Sequence, residues 1–351
     1  MIRSIAFPRI AIIGNPSDGY YGKTIAATID NFQAIVEIRE SSTLRIYPNP
    51  IHDPQEFSNL SDLESTVRRD GYYGGLRLIY AACKRFKEVC DTSDIQLGNR
   101  NFSVKYEINI PRQVGLAGSS ALITALFKGL MLFYKVNESQ IPLSGQPNII
   151  LSVENTELEI AGGLQDRVAQ VYGGMLHMDF SREIMHKQGY GRYTIVNDAL
   201  LPPLFLAYTN KPSFSGNFHS NLRSRYQHDD QDVHLAVRQW TDLTDNALKS
   251  IKSQDFGRLG ELMNANFDFR RRVVGDKGLG QSNLELISVG RDLKAPTKFP
   301  GSGGAVIGLY RDKKHLSELR FAYEARGFSF ETVRISQSPI LELMDCPAEH
   351  F

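Results

Sequence analysis

Pro111-Arg112-Gln113-Val114-Gly115-Leu116-Ala117-Gly118-Ser119-Ser120-Ala121 is a glycine-punctuated turn with two adjacent hydroxyls. An extended segment, 102–110, leads into it, and an apolar helical pattern, 120–134, leads out. The order is therefore strand, loop, helix N-terminus. Gly115 and Gly118 let backbone come close to a ligand because no Cβ intervenes. The unpaired N–H groups and dipole of a new helix favour an anion there. Ser119 and Ser120 add hydroxyls suited to phosphate or a metal ion. The competing reading is a tight turn with Ser119 as an ordinary N-cap. The P-loop pattern is excluded: Gly118-Ser119-Ser120 has no lysine, and for Gly22-Lys23-Thr24 the required first glycine falls at Ser17. No dinucleotide G-x-G-x-x-G is formed by Gly115 to Gly118 or by Gly301-Ser302-Gly303-Gly304.

The 351 residues suffice for two domains or one large one, and a hydrophobic content of 42% with 23% charged residues is ordinary for a globular chain. The net charge of +1 implies no broad nucleic-acid footprint, so any anion site is local. Cys83, Cys90 and Cys346 are odd in number and lack metal spacing; Cys83 and Cys90 read as buried thiols of a reducing compartment. No signal peptide is visible and the apolar runs are too short to span a bilayer, so a cytoplasmic protein without membrane or nucleic-acid partners is expected.

Outward from the loop, 3–13 reads as one strand ending in the dense turn Gly14-Asn15-Pro16-Ser17-Asp18-Gly19. Segments 34–38 and 43–47 read as a hairpin, and 75–89 as an amphipathic helix. Segment 148–161 reads as a helix bearing Glu154, Glu157 and Glu159, broken by Gly162-Gly163. A short helix, 165–172, follows. Beyond a buried strand at 201–208 come helices at 234–252, 256–272 and 282–293, a strand at 305–310, a helix at 315–325 and a strand at 329–335. The expectation is an α+β protein of two lobes, 1–200 and 201–351, divided near Pro202-Pro203.

Four separated sites form a kit for phosphoryl transfer: Arg9 with Asn15 and Asp18, the loop 111–121, Glu154 with Asp166, and the second glycine-rich loop Lys298 to Ala305. Mg²⁺ keeps several waters, so one carboxylate and one hydroxyl suffice to hold it, with Glu154 and Ser120 as candidates. Asp166 is placed to take a proton from a substrate hydroxyl. Arg9 is placed to keep Asp166 ionised and to balance transition-state charge. The plainer alternatives are a solvated helix face for Glu154, a helix cap for Asp166 and a simple turn at 301–304.

Together these motifs resemble those of the GHMP kinases. The loop 111–121 is similar to their second motif, P-x-x-x-G-L-x-S-S-A, with Gly118 as a departure. Pro8-Arg9 through Asp18 is similar to the first, with Asn15-Pro16 replacing Glu-His. Gly162-Gly163-Leu164-Gln165-Asp166 resembles the stretch ending in the catalytic Asp, and Lys298 through Ala305 resembles the third motif, with Pro300 where Thr is common. Within that family the chain most resembles the plant-type glucuronokinases. Tyr21-Gly22-Lys23-Thr24-Ile25, Pro111-Arg112-Gln113, His219-Ser220 with Arg223 and Arg225, and Asn266-Phe267-Asp268-Phe269-Arg270-Arg271 carry that likeness.

The resemblance implies the two-lobe GHMP fold, with an N-terminal lobe like domain 2 of ribosomal protein S5 and a ferredoxin-like α+β C-terminal lobe. It implies a sugar kinase, dependent on ATP and Mg²⁺, that phosphorylates the anomeric hydroxyl of D-glucuronate. It places ATP against Pro111, Gln113, Gly115, Leu116, Ala117, Gly118, Ser119, Ser120 and Ala121, and sugar against Asp18, Gly301, Ser302 and Gly303. A uronate needs a cation, and Arg223 or Arg225 with Lys23 are favoured over Arg112, Arg167, Arg270 and Arg271. Tyr20, Tyr21 and Tyr73 are candidates for the sugar pocket. A galactose-like sugar or a heptose phosphate as acceptor, and a non-catalytic GHMP-fold binding protein, stay open, as does the choice between monomer and homodimer.

Overall fold

The computed structural model describes residues 1–72, 74–210, 216–336 and 339–344. In chain order the strands are β1 (Ile2–Ala6), β2 (Arg9–Ile13), β3 (Lys23–Thr28), β4 (Ala34–Ser41), β5 (Arg45–Ile46), β6 (Asn101–Ile108), β7 (Met175–Asp179), β8 (Arg192–Val196), β9 (Leu204–Thr209), β10 (Thr297–Lys298), β11 (Ala305–Leu309), β12 (Phe328–Thr332) and β13 (Ile340–Leu343). The α-helices are α1 (Leu60–Asp70), α2 (Gly75–Thr92), α3 (Gly118–Phe133), α4 (Gln146–Ser152), α5 (Leu164–Tyr172), α6 (Arg182–Gln188), α7 (Gly216–Gln227), α8 (Gln231–Lys252), α9 (Phe256–Leu279), α10 (Gln281–Asp292) and α11 (Lys313–Glu324).

The strands form three sheets, ordered β13-β1-β4-β6-β5, β2-β3-β7-β8 and β10-β11-β9-β12. The stretch expected as one strand from 3 to 13 is two, because Pro8 lacks an N–H and the chain passes from the first sheet to the second there. The expected hairpin at 34–47 is likewise absent: β4 pairs antiparallel with β1 and β6, and β5 pairs parallel with β6. The third sheet has the ferredoxin-like order and is antiparallel throughout, as the family resemblance implied. Helix α9 runs past the expected end at 272, kinking at Gly275 (φ 73°), where a left-handed conformation suits glycine.

α3 is apolar all round and buries Leu122, Ile123, Leu126, Phe127 and Leu130 under the first sheet, which fixes its N-terminus rigidly. The helix expected over 148–161 stops at Ser152. One π-helical turn, Val153–Glu157, follows, and π turns recur at functional sites. Of the three acids expected on that helix, the turn buries Glu154. Glu157 pairs with Lys84 at 2.7 Å and Glu159 is exposed. Cys90 is buried and Cys83 half-buried, both as free thiols. Among the described residues no helix is long and apolar enough to cross a membrane.

Candidate active site

Strand β2 is clasped by the two glycine-rich loops. The backbone N–H of Arg9 donates to the Leu116 carbonyl at 3.3 Å, and that of Ala11 to the Pro300 carbonyl at 3.0 Å. The Arg9 guanidinium continues the clasp, donating to Asp166 Oδ1 at 2.5 Å, to the Gly115 carbonyl at 2.7 Å and to the Pro300 carbonyl at 3.0 Å. One buried side chain thus fixes the positions of a carboxylate and both loops. The loops also touch each other. A Cβ on Gly301 would stand 1.9 Å from the Gly115 carbonyl oxygen, and Gly115 itself has φ +71°. These glycines are required by loop-on-loop packing. Gly301→Ala is expected to force the loops apart, costing about 1–3 kcal/mol of stability and at least roughly tenfold in kcat/KM through loss of the Arg9 contacts. Gly257→Ala is the control, its nearest neighbour being 3.7 Å away. Unaltered melting and kinetics for both variants would refute the clasp.

The second loop is anchored from below. Arg270, buried beneath Phe299, donates to the Gly301 and Ser302 carbonyls at 2.6 and 2.5 Å. Lys298 is fully buried and spends its three protons on the Ala11 carbonyl, Asn15 Oδ1 and the Phe299 carbonyl at 2.6–2.7 Å. Burial holds its ammonium well below the usual lysine range. Asn266 accepts from the Gly14 N–H at 2.6 Å and donates to the Asn15 carbonyl at 3.0 Å.

Helix α3 begins at Gly118. Its N-cap is Ala117, in the left-handed region at φ 62°, and no side chain caps it. Ser119 is therefore not the N-cap, and Gly118 and Ser119 of this uncapped N-terminus, a kind of helix end that favours an anion, line the cleft. Ser119 Oγ donates to Glu154 Oε1 at 2.7 Å. Ser120 Oγ instead turns back to the Ala117 carbonyl at 3.1 Å and is buried.

Glu154, Arg167, Asp166 and Arg9 form a chain of alternating charge. Arg167 Nη2 donates to Glu154 Oε2 in a close ion pair, and Arg167 Nη1 reaches Asp166 Oδ2 at 3.4 Å. Burial, and next the nearby Arg9, pull the Arg167 guanidinium down to about 9, so it is still a cation at neutral pH. Asp18 lies beside this chain, accepting from the Gln165 N–H and Nε2, both at 3.3 Å. Burial first, then repulsion by Asp166, push the Asp18 carboxyl up to about 7. Because this lies above the unfolded-state value, the folded protein holds the proton more tightly. Stability falls as pH rises from about 4 to 7, and the full cost stands above 7. Asp18→Asn removes that cost, so its gain in Tm over the native protein is expected to be larger at pH 8 than at pH 5. An equal change at both pH values would contradict the assignment.

These groups line one cleft of about 530 Å³. Leu78, Tyr106, Ile108 and Ile110 give the cleft an apolar wall. The sequence profile described as GHMP kinases N terminal domain matches residues 77–174. Glucuronokinase 1 of Arabidopsis thaliana is 45% identical over 334 residues, 95% of this chain and 92% of that protein. The chain belongs to the GHMP kinase family. A second Arabidopsis relative, described as probable glucuronokinase 2, is 47% identical over 303 residues, 86% of this chain and 82% of that one. The crystal structure of Lactococcus lactis galactokinase complexed with galactose has the same fold, with TM-score 0.72 over 97% of this chain and 95% of that one at 18% identity.

In this GHMP kinase the cleft gathers Arg9, Asp18, Glu154 and Asp166. It also gathers Pro111, Gln113, Gly115, Leu116, Ala117, Gly118 and Ser119, and Gly301, Ser302 and Arg223. Ser120 and Ala121 lie behind it, buried in α3, and Gly303 is turned toward Asn283. Lys23 is spent on Asp245 at 2.8 Å. Arg225 is spent on Asp230 and the Val273 carbonyl, both at 2.7 Å. Of the tyrosines, Tyr20 lines the cleft and Tyr21 does not. Tyr73, Cys346 and the side chains of His219 and Ser220 fall outside the described residues. From sequence Arg167 is a candidate only as a grip for a carboxylate. Its place one residue after Asp166, within reach of a buried Glu154, is the signal for its pairing role. Lys298 and Arg270 act as anchors of the second loop, a role with no local signature.

Proposed function

We propose that the protein is a glucuronokinase, transferring the γ-phosphoryl group of ATP to the anomeric hydroxyl of D-glucuronate to give glucuronate 1-phosphate and ADP. The observation that carries this reading is the Arg9–Asp166 pair, 2.5 Å apart, beside an uncapped helix N-terminus. The two Arabidopsis relatives support the choice of sugar.

In this reading the N–H groups at 118–120 and the loop 115–119 receive the phosphates, and the apolar wall receives the base. Asp166 accepts the hydroxyl proton as the sugar oxygen attacks, and Arg9 keeps that carboxylate aimed. Phosphoryl transfer proceeds through a loose transition state, so positioning and charge balance supply most of the acceleration. Asp18, Gly301 and Ser302 belong to the sugar side. The donor set fits Mg²⁺: a carboxylate and a hydroxyl 2.7 Å apart at the phosphate end, both hard oxygen ligands. Ser119 with Glu154 would hold the ion, in place of the Ser120 expected from sequence. When bound, Mg²⁺ neutralises phosphate charge. The lobes divide near residue 200, and the enzyme is cytoplasmic.

The test is a panel of acceptors with ATP. Glucuronate is expected to exceed galactose, glucose and a heptose phosphate in kcat/KM by at least roughly 100-fold, the discrimination available when a buried polar partner would be left unpaired. Equal turnover of galactose, or none of glucuronate, would contradict the reading.

A further inference from the structure

We infer that Arg223 grips the carboxylate of the acceptor sugar and so selects a uronate over the neutral hexose; this rests on the glucuronate reading above. Glucuronate differs from glucose by one carboxylate on C5, across the ring oxygen from the reacting C1. Discriminating between them needs a cation near the anomeric end of the cleft whose charge is not already spent.

The basic side chains around the cleft sort themselves by partner. Arg9 is committed to Asp166 and two carbonyls, and Arg167 to Glu154 and Asp166. Lys298 and Arg270 are buried under the second loop and bonded to its carbonyls. Arg112 sits at the other end, where the cleft meets a neighbouring cavity through His52 and Gly74. Arg223 lines the cleft with Asp18, Gly19 and Tyr20, is exposed, and forms no ion pair with a described carboxylate.

Its helix is seated for this task. Tyr226, one turn on from Arg223, packs its ring against Tyr20 at 4.9 Å and reaches the Tyr20 carbonyl at 3.5 Å. That contact docks α7 on the turn carrying Asp18 and directs the Arg223 face toward the sugar. Burial pushes the Tyr20 phenol up, and the Arg223 charge pulls it partly back. Arg225, two residues on, points away to Asp230 and Val273. Arginine is suited to a bidentate grip on a carboxylate, and an exposed arginine at the rim is pre-placed without a buried-charge penalty.

The test is steady-state kinetics of native enzyme, Arg223→Ala and Arg223→Lys on glucuronate and on glucuronamide, its uncharged amide. Arg223→Ala is expected to raise KM for glucuronate roughly 10- to 100-fold, as for loss of a charged hydrogen-bonded pair. Its KM for ATP and for glucuronamide should stay within about twofold of native. Arg223→Lys should recover part of the loss, since it keeps the charge without the fork. An unchanged KM for glucuronate, or an equal rise for both sugars, would overturn the inference alone. Absence of glucuronate turnover by the native enzyme would overturn the underlying reading and the inference with it.

Discussion

Replacing Asp166 by asparagine is expected to lower kcat roughly 10²- to 10⁴-fold while leaving nucleotide affinity within about twofold. The substitution is nearly isosteric, and an amide oxygen still accepts from Arg9 Nε, so the clasp that joins Asp166 to the two loops at 2.5, 2.7 and 3.0 Å keeps its geometry. What disappears is the proposed proton acceptor and one negative charge. The change therefore separates chemistry from architecture, and it is read by single-turnover phosphoryl transfer alongside titration with a fluorescent ATP analogue. Retention of most of the native rate would show that Asp166 only positions the hydroxyl, as a loose phosphoryl transition state allows.

Arg167→Ala carries the largest expected effect on stability, about 3–5 kcal/mol. Arg167 and Glu154 are each 3% exposed, and removing the arginine leaves a buried carboxylate without its cation. The arginine is also the link between Glu154 and Asp166, so the loss spans the whole charge chain. Adding Glu154→Gln to the variant removes the orphaned charge and should restore part of the stability, giving a non-additive cycle. Urea unfolding of the four proteins measures it. A loss below about 1 kcal/mol with strictly additive mutations would mean that water reaches the pair and the chain has little structural weight.

The parts of this molecule legible in its sequence are those whose signal is local. Glycines beside paired serines after an extended segment mark a phosphate-type turn, and the strand, loop and helix N-terminus stand where 102–134 placed them. The helical periodicities of 75–89 and 234–252 persist as α2 and α8, each running a few residues further. What escaped depends on partners distant in sequence. Gly115 and Gly301 are glycines because of each other, across 186 positions, and Lys23 is neutralised by Asp245, 222 residues away. The choice between Ser119 and Ser120 turns on helix phase: one residue of rotation sends one hydroxyl to Glu154 and the other back to Ala117. Glu154 escaped its helical face because the π turn rotates it inward, a departure from 3.6-residue periodicity that no pattern of polar and apolar residues announces. Pro8 is a local signal too, and it breaks 3–13 into strands of different sheets.

The proposed glucuronokinase chemistry requires Asp166 and Arg9 to address the anomeric hydroxyl of the sugar beside the phosphate cradle. The most direct measurement is phosphorus and carbon NMR of the product formed from ATP and C1-labelled glucuronate by the native enzyme. A single phosphate ester showing phosphorus coupling to the labelled C1 is expected. A phosphate ester on any other carbon, or ATP hydrolysis without an ester, would contradict it.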